Sequence, residues 1–360
     1  MAYAKWAAGI CLLAAASANA ADYCAPSHAL KAVADTELNS IFAHQYGPGW
    51  IGGDSTYSTL LPDGRVAFSF SDSFIGTAKP DGTASLAGML HNTELVGKLP
   101  KLASYYGGSY AKPEALIPNA HRGKWFWTFA TYYENGSQLI FINEFDNQNP
   151  FGNFTGISGI AGMQVSKDSA PHLSKLTLQP SRVMWGMATV QDDAYHYIYG
   201  RAMDATFGKM KLARVPLGKS DIFSVWEYWN GKKWTRDVGQ AVTIDTGHEL
   251  DGVMRQPTWM GKGYLAVSIP AGVFVDNELD VSFACAPQGP WSKPVAVYRL
   301  PEVAGPLAYK DEIAYLPTVH PELDGEGYIV ASYNINTTDG LQAYAHNMHI
   351  YQPRFVRIGY

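Results

Sequence analysis

Apolar residues in this chain alternate with small or polar ones in short runs separated by tight turns, the pattern of half-buried strands. Between Trp50 and Gly76 the pattern is clearest. Tyr57, Thr59 and Leu61 alternate with smaller residues, Pro62-Asp63-Gly64 is a turn signal, and Val66, Phe68 and Phe70 alternate again. This predicts a hairpin that Asp54 opens and Asp72 closes. The ends of an antiparallel pair lie side by side, so the hairpin brings two carboxylates to one rim.

Four further copies of this unit follow: Trp127–Asp146, Trp185–Arg201, Gln256–Pro270 and Thr318–Asn336, each around a polar or glycine-containing turn and each followed by further strand candidates. Units of about 50–65 residues with about four strands each fit a propeller better than a sandwich. The predicted fold is all-β, a five-bladed β-propeller of mostly four-stranded antiparallel blades. Helical periodicity is confined to Leu30–Phe42, entered through Ser27 and ended by Gly47-Pro48-Gly49. The expected organisation is a leader over residues 1–20, a helical or irregular lead-in over 21–49 and one propeller domain over 50–360.

In a propeller the innermost strand of each blade starts, and the second strand ends, on one face of the disc. Sorting by that rule puts Asp54, Asp72, His91 and Asn92 on one rim from the first blade. Glu144 and Asp146 join them from the second, Trp185 and Arg201 from the third, Arg255 and Gln256 from the fourth, and Asn334 and Asn336 from the fifth. Glu144 lies eight residues past the turn glycine Gly136, as Asp72 lies past Gly64. His320 is expected lower in the central channel.

Composition narrows the ligand class. The net charge is −5 and charged residues make up 16%, with no basic runs, which argues against a nucleic-acid partner. Tyr (22) and Trp (10) are abundant, which suits aromatic platforms for a neutral polar ligand such as a carbohydrate, and equally suits an aromatic-rich β core. Met1–Ala20 carries one charge, Lys5, an apolar run from Trp6 to Ala16 and Ala18-Asn19-Ala20 as a cleavage site, so it reads as a secretory leader; the mature chain is expected to be secreted or periplasmic, with no membrane span. Removing the leader leaves Cys24 and Cys285, which an oxidising compartment favours as a disulfide over two buried thiols. No phosphate loop, dinucleotide fingerprint, zinc helix or serine elbow is present.

Cleaving a glycosidic bond needs one protonated and one ionised carboxyl group. Asp54 is expected as the ionised base or nucleophile, since Gly52-Gly53 before it allows close approach of a ligand. Asp72 is expected as the second carboxylate or a modulator of the first, and Glu144 as the acid, with Glu322 its rival. His91, Asn92 and Arg201 are candidate hydroxyl binders, with Arg255, Gln256, Asn334 and Asn336 further rim groups. Trp127 and Trp185 are candidate sugar platforms. Each also has a purely structural reading as a cap, strand end or packing residue. No cofactor is expected; His320 is a weak candidate ligand for a channel cation such as calcium.

Several motifs resemble a family of bacterial secreted propellers associated with endo-D-arabinanase activity, glycoside hydrolase family 183, and a closely related uncharacterised family. They are Gly53-Asp54 with Tyr57-Ser58, Ser71-Asp72-Ser73-Phe74-Ile75-Gly76, His91-Asn92, Trp185-Gly186, Trp226-Glu227-Tyr228-Trp229, His320-Pro321-Glu322-Leu323 and Tyr351-Gln352-Pro353-Arg354-Phe355. In order and spacing they span nearly the whole mature chain. The resemblance implies a propeller acting on an arabinofuranosyl substrate; a more distant likeness to other five-bladed furanose-cleaving glycosidases implies three acidic groups from different blades, Asp54 standing in the matching place. Glu94 departs from that family, where a smaller residue is usual, and Trp125-Phe126-Trp127-Thr128-Phe129-Ala130 is less typical of it. The alternative class is a non-catalytic carbohydrate-binding propeller.

Overall fold

A computed structural model describes residues 23–148, 152–167, 169–202, 209–246, 252–270, 278–304, 312–337 and 339–360. The expected leader lies outside the described residues. The fold is all-β with a few short helices. The first three hairpins read from the sequence form the first two strands of antiparallel sheets, while in the fourth and fifth the first strand starts earlier than read, at Gly252 and Glu312. Sheet I runs Tyr57–Leu60, Val66–Phe70, Thr93–Lys98, Lys101–Tyr105, and sheet II runs Trp125–Glu134, Ser137–Asp146, Asn153–Gln164, His172–Pro180. Sheet III starts with Val183–Gln191, Tyr195–Ala202 and Lys209–Pro216 and is extended by the small hairpin Glu227–Trp229, Trp234–Thr235; Ile244–Asp245 also pairs with Lys209–Pro216. Sheet IV runs Gly252–Arg255, Tyr264–Ser268, Glu278–Ala284, Val295–Arg299.

Sheet V corrects the lead-in. It runs Glu312–Val319, Tyr328–Thr337, Arg354–Gly359 and then Lys31–Ala34, so the chain's beginning supplies the last strand. The helix expected over Leu30–Phe42 is therefore divided. Lys31–Ala34 is strand, and only Thr36–Ala43 is helical, capped not from Ser27 but by Asp35, which accepts from the backbone N–H groups of Glu37 and Leu38. Arg357 holds the same carboxylate at 2.6 Å. The outer strand of sheet V thus lies within the expected lead-in, ahead of residue 50. Cys24 and Cys285 are bonded, and the Gln256 amide donates to the Cys24 carbonyl at 2.8 Å, tying the lead-in to sheet IV.

The first strands of the sheets neighbour one another in chain order. One cavity of about 540 Å³ is lined by residues from all five of them, among them Ser58, Thr131, Thr189, Arg255 and Thr318. Apolar side chains fill the spaces between sheets. Phe68 and Phe70 of sheet I meet Val330 and Phe355 of sheet V, with Phe42 of the helix stacked on Phe355 at 4.9 Å. Leu265, Val267, Val281 and Phe283 of sheet IV meet Ile329, Ile335, Val356 and Ile358 of sheet V. Each such fully buried side chain contributes about 1.5–3 kcal/mol.

Three strands outside the five sheets position the site. Gly49–Gly53, Ser73–Ala78 and Ala84–Leu90 form a separate sheet inserted into sheet I, which the sequence reading did not foresee. The chain leaves this sheet for sheet I between Gly53 and Tyr57, and returns to it between Phe70 and Ser73. Both crossings occur at one corner, and Asp54 and Asp72 stand on it.

Candidate active site

At this corner the Asp54 N–H donates to the Asp72 carbonyl at 3.0 Å, and the Ser71 N–H donates to the Asp54 carbonyl at 2.9 Å. Glycine permits the close approach. A Cβ on Gly53 would lie 2.8 Å from Trp50 Nε1, 2.9 Å from Ser73 Oγ and 3.0 Å from the Asp72 carbonyl oxygen. The turn from one sheet to the other is made at Ser55, which adopts a left-handed φ of 55°. A non-glycine residue held there stores strain of order 1–3 kcal/mol, a cost that gathers at functional sites.

The two carboxylates have different surroundings. Asp54 Oδ2 accepts from Tyr315 Oη at 2.6 Å and from Tyr351 Oη at 2.9 Å, while its Oδ1 is buried without a hydrogen-bond partner. Asp72 Oδ1 accepts from Trp127 Nε1 at 2.7 Å and pairs with His91 Nδ1 at 2.7 Å. His91 stacks on Trp125 at 4.5 Å and 18°, and Trp127 packs on Phe145 at 4.2 Å. Phe74, Tyr344 and Tyr351 form a second aromatic group on the Asp54 side, with centroids 4.9–5.3 Å apart. Burial, and then the negative charge of Asp72, push the Asp54 carboxyl up from 3.8 to about 7, against the opposing pull of its hydrogen bonds. Asp54 therefore takes up its proton close to neutral pH, next to the Asp72 carboxyl group. That reverses the expectation of Asp54 as the ionised member.

A family model described as a domain of unknown function (DUF5005) matches residues 35–359. The chain belongs to that family. No curated protein matches it. Among solved structures it is similar to a Bacteroides ovatus protein provisionally described as a hydrolase, with 18% identity over 91% of this chain and 90% of that one, at a TM-score of 0.75. At that identity the likeness is one of fold. Weaker similarity extends to 1,3Gal43A, an exo-β-1,3-galactanase of Clostridium thermocellum, at 10% identity, 85% and 62% coverage and a TM-score of 0.47. A GH62 hydrolase in complex with xylotriose gives 9%, 87% and 92%, and 0.47.

In this DUF5005 chain the corner gathers Asp54, Asp72, His91 and Trp127 from the sequence-expected set, with Asn336 behind them. Asn336 Nδ2 donates to Tyr315 Oη at 3.0 Å, so it supports a phenol rather than facing the rim itself. Glu144 is a correction. Its buried carboxylate binds His121, accepts from Thr155 Oγ1 at 2.6 Å and lies 3.4 Å from Lys124 Nζ. These donors hold it below the usual carboxylate range despite its burial, so it has no proton to give as an acid. It pins the loop before Trp125 instead.

Other expected residues are structural. The Asn92 amide is consumed by backbone, donating to the carbonyls of Ile117 and Phe126 and accepting from the Ile117 N–H at 2.6 Å. Trp185 is 1% exposed and packs on Trp226 and Tyr228, so it offers no sugar platform. Asn334 bridges Thr56 Oγ1 and the Leu316 carbonyl. Gln256 and Arg255 sit at the wrong end. The fourth hairpin's first strand is Gly252–Arg255, so Arg255 ends it and Gln256 follows, at the turn; Arg255 pairs there with Asp193 at 2.9 Å. Arg201 stands opposite Met184, half-buried.

His320 is likewise no free ligand. Nδ1 contacts Ser58 Oγ, Nε2 contacts Ser332 Oγ at 2.8 Å, and burial pushes the ring down to about 3, so it stays neutral. Glu322 binds the same Ser58 hydroxyl and lines the cavity shared by the five first strands, whereas the Asp54 carboxyl is bound by Tyr315 and Tyr351. Among the described residues no three His, Cys, Asp or Glu side chains gather as a metal site. No described helix is long and apolar enough to cross a membrane.

Sequence reasoning missed Tyr315, Tyr351 and Trp125. Tyr351 stood within a motif already noted. Nothing in the local pattern marked Tyr315.

Proposed function

We propose that this chain is a secreted glycoside hydrolase of five-bladed propeller architecture that cleaves arabinofuranosyl linkages in a polysaccharide. In this reading sheets I–V are the blades and the cavity shared by their first strands is the central channel. Asp54 donates its proton to the leaving oxygen, and Asp72 acts as base or nucleophile. The observation that carries the reading is the contrast at one corner: a buried carboxyl raised to about 7 beside a carboxylate that accepts two N–H bonds. A buried carboxyl that keeps its proton to near neutral pH beside a second carboxyl group is what acid–base cleavage of a glycoside requires. His91, Trp125, Trp127 and Tyr344 surround the pair with flat, polar-edged rings suited to a sugar face. The arabinofuranosyl class rests on the resemblance of the motifs to family 183, and secretion on the leader-like N-terminus.

The test is digestion of D-arabinan, L-arabinan and a panel of other glycans by the wild-type chain and by Asp54→Asn. Oligosaccharide release by the wild type alone supports the reading. Binding of a glycan with no release by the wild type replaces it with a carbohydrate-binding function.

A further inference from the structure

Asp54 opens sheet I's hairpin, yet both donors to its carboxylate come from sheet V and the turn before its third strand. Tyr315 belongs to the first strand of that sheet and Tyr351 to the turn Met348–Tyr351. Both phenols bind the same oxygen, Oδ2, and neither serves Oδ1.

The backbone is bent to deliver them. The strand carrying Tyr315 bulges between Tyr315 and Thr318, and Leu316, next in sequence, has a left-handed φ of 45°. A branched side chain in that region costs about 1–2 kcal/mol, and bulges re-aim the residues beside them. The Leu316 carbonyl is in turn fixed by the Asn334 amide at 3.0 Å. On the other side, Gly52 makes room for Tyr351: a Cβ there would stand 2.8 Å from the Tyr351 carbonyl oxygen and 2.7 Å from Met348 Sδ.

The direction of the Tyr315 hydroxyl is also settled. Its oxygen accepts from Asn336 Nδ2 at 3.0 Å, and Asn336 Oδ1 is itself taken by Tyr344 Oη and by the Thr337 N–H at 2.7 Å. An Asn side chain so oriented can only donate to Tyr315, so the single phenolic proton points to Asp54.

We propose that Tyr315 and Tyr351 are positioning residues for Asp54, saturating Oδ2 so that the carboxylic proton rests on Oδ1. This deepens the glycosidase reading and rests on it for its purpose. A phenol that merely packs would leave the Asp54 equilibrium alone, whereas one that donates to the carboxylate favours the ionised form. The groups that face Asp54 electrostatically are Asp72, Tyr315, Tyr351 and Tyr344.

The test is a carboxyl ¹³C NMR titration of the full chain labelled at aspartate, with Asp54→Asn assigning the resonance. Tyr315→Phe and Tyr351→Phe keep the rings and remove one donor each. Each is expected to raise the Asp54 midpoint by about one pH unit, the scale of a hydrogen bond to a charged group. If Tyr315→Phe does not fold, Tyr351→Phe and Asn336→Ala decide by the same readout, the latter with a smaller upward shift. An unmoved midpoint in folded variants overturns the proposal. The two readings fail separately. A moved midpoint in a chain that cleaves no glycan removes the glycosidase reading and keeps the positioning; cleavage with an unmoved midpoint does the reverse. In an active chain the alkaline limb of the rate profile moves up with the midpoint.

Discussion

Trp127 Nε1 donates to Asp72 Oδ1 at 2.7 Å, so a tryptophan of sheet II holds a carboxylate that closes a strand of sheet I. The indole was expected as a sugar platform and does a second thing: it fixes the oxygen that faces the His91 ring. An N–H donor to a charged acceptor is worth about 1.5–3 kcal/mol. Trp127→Phe keeps an aromatic face and removes the donor. Under the proposed chemistry it should lower kcat/KM by roughly 10- to 100-fold on any glycan the wild type cleaves. A loss in KM alone, with kcat intact, would mean the ring serves only as a platform.

Glu144→Gln separates pinning from catalysis. The carboxylate of Glu144 is buried among His121, Thr155 and Lys124 and held below its ordinary value, so its contribution to stability is present above about pH 4.5 and is lost as pH falls through the lower folded value. The variant should unfold at a lower temperature than wild type at pH 7, with the gap closing towards pH 3. Calorimetry at both pH values checks this. Turnover should change by less than about tenfold, since the group has no proton to donate near neutrality. A loss as large as that of Asp54→Asn would return Glu144 to the reacting centre.

The hairpins were legible because each strand alternates locally and each turn carries its own signal. Lys31–Ala34 was not, because its partner is Arg354–Gly359 at the other end of the chain and Val33 is 63% exposed, so neither spacing nor burial marks it as strand. The corner was half legible. Asp54 and Asp72 follow from pairing, but Tyr315 reaches Asp54 through a bulge and a left-handed Leu316, neither of which has a local sign. Arg255 and Gln256 were misplaced because the fourth hairpin starts four residues earlier than its pattern suggests, and that shift carries rim residues to the turn.

The bond between Cys24 and Cys285 closes a separation of 261 residues and anchors the segment that leads into the last strand of sheet V. Constraining a loop of that size stabilises by about 5 kcal/mol in the chain-entropy model. The double variant Cys24→Ser, Cys285→Ser should therefore melt several degrees lower than the oxidised wild type, and reductant should lower the wild type to match it. Scanning calorimetry with and without reductant checks both. Equal melting temperatures would mean the lead-in is held by the Lys31–Ala34 pairing and Asp35 alone.

Asp54 should make the chain less stable as it loses the proton that its proposed role needs. Its folded value of about 7 stands above the ordinary 3.8, so the folded state takes up the proton first as pH falls. The stability this contributes is fully present below about pH 4 and disappears as pH rises through about 7, where a charge must be held in a buried site beside Asp72. A displacement of about three units corresponds to about 4 kcal/mol at most. Asp54→Asn removes the charge and keeps the shape. It should melt higher than wild type at pH 8, by more than at pH 5, while losing the activity proposed for the corner. Melting curves of the two proteins at both pH values decide it. If Asn is no more stable at pH 8, Asp54 is not held against its charge, and the acid assigned to this corner must be another group.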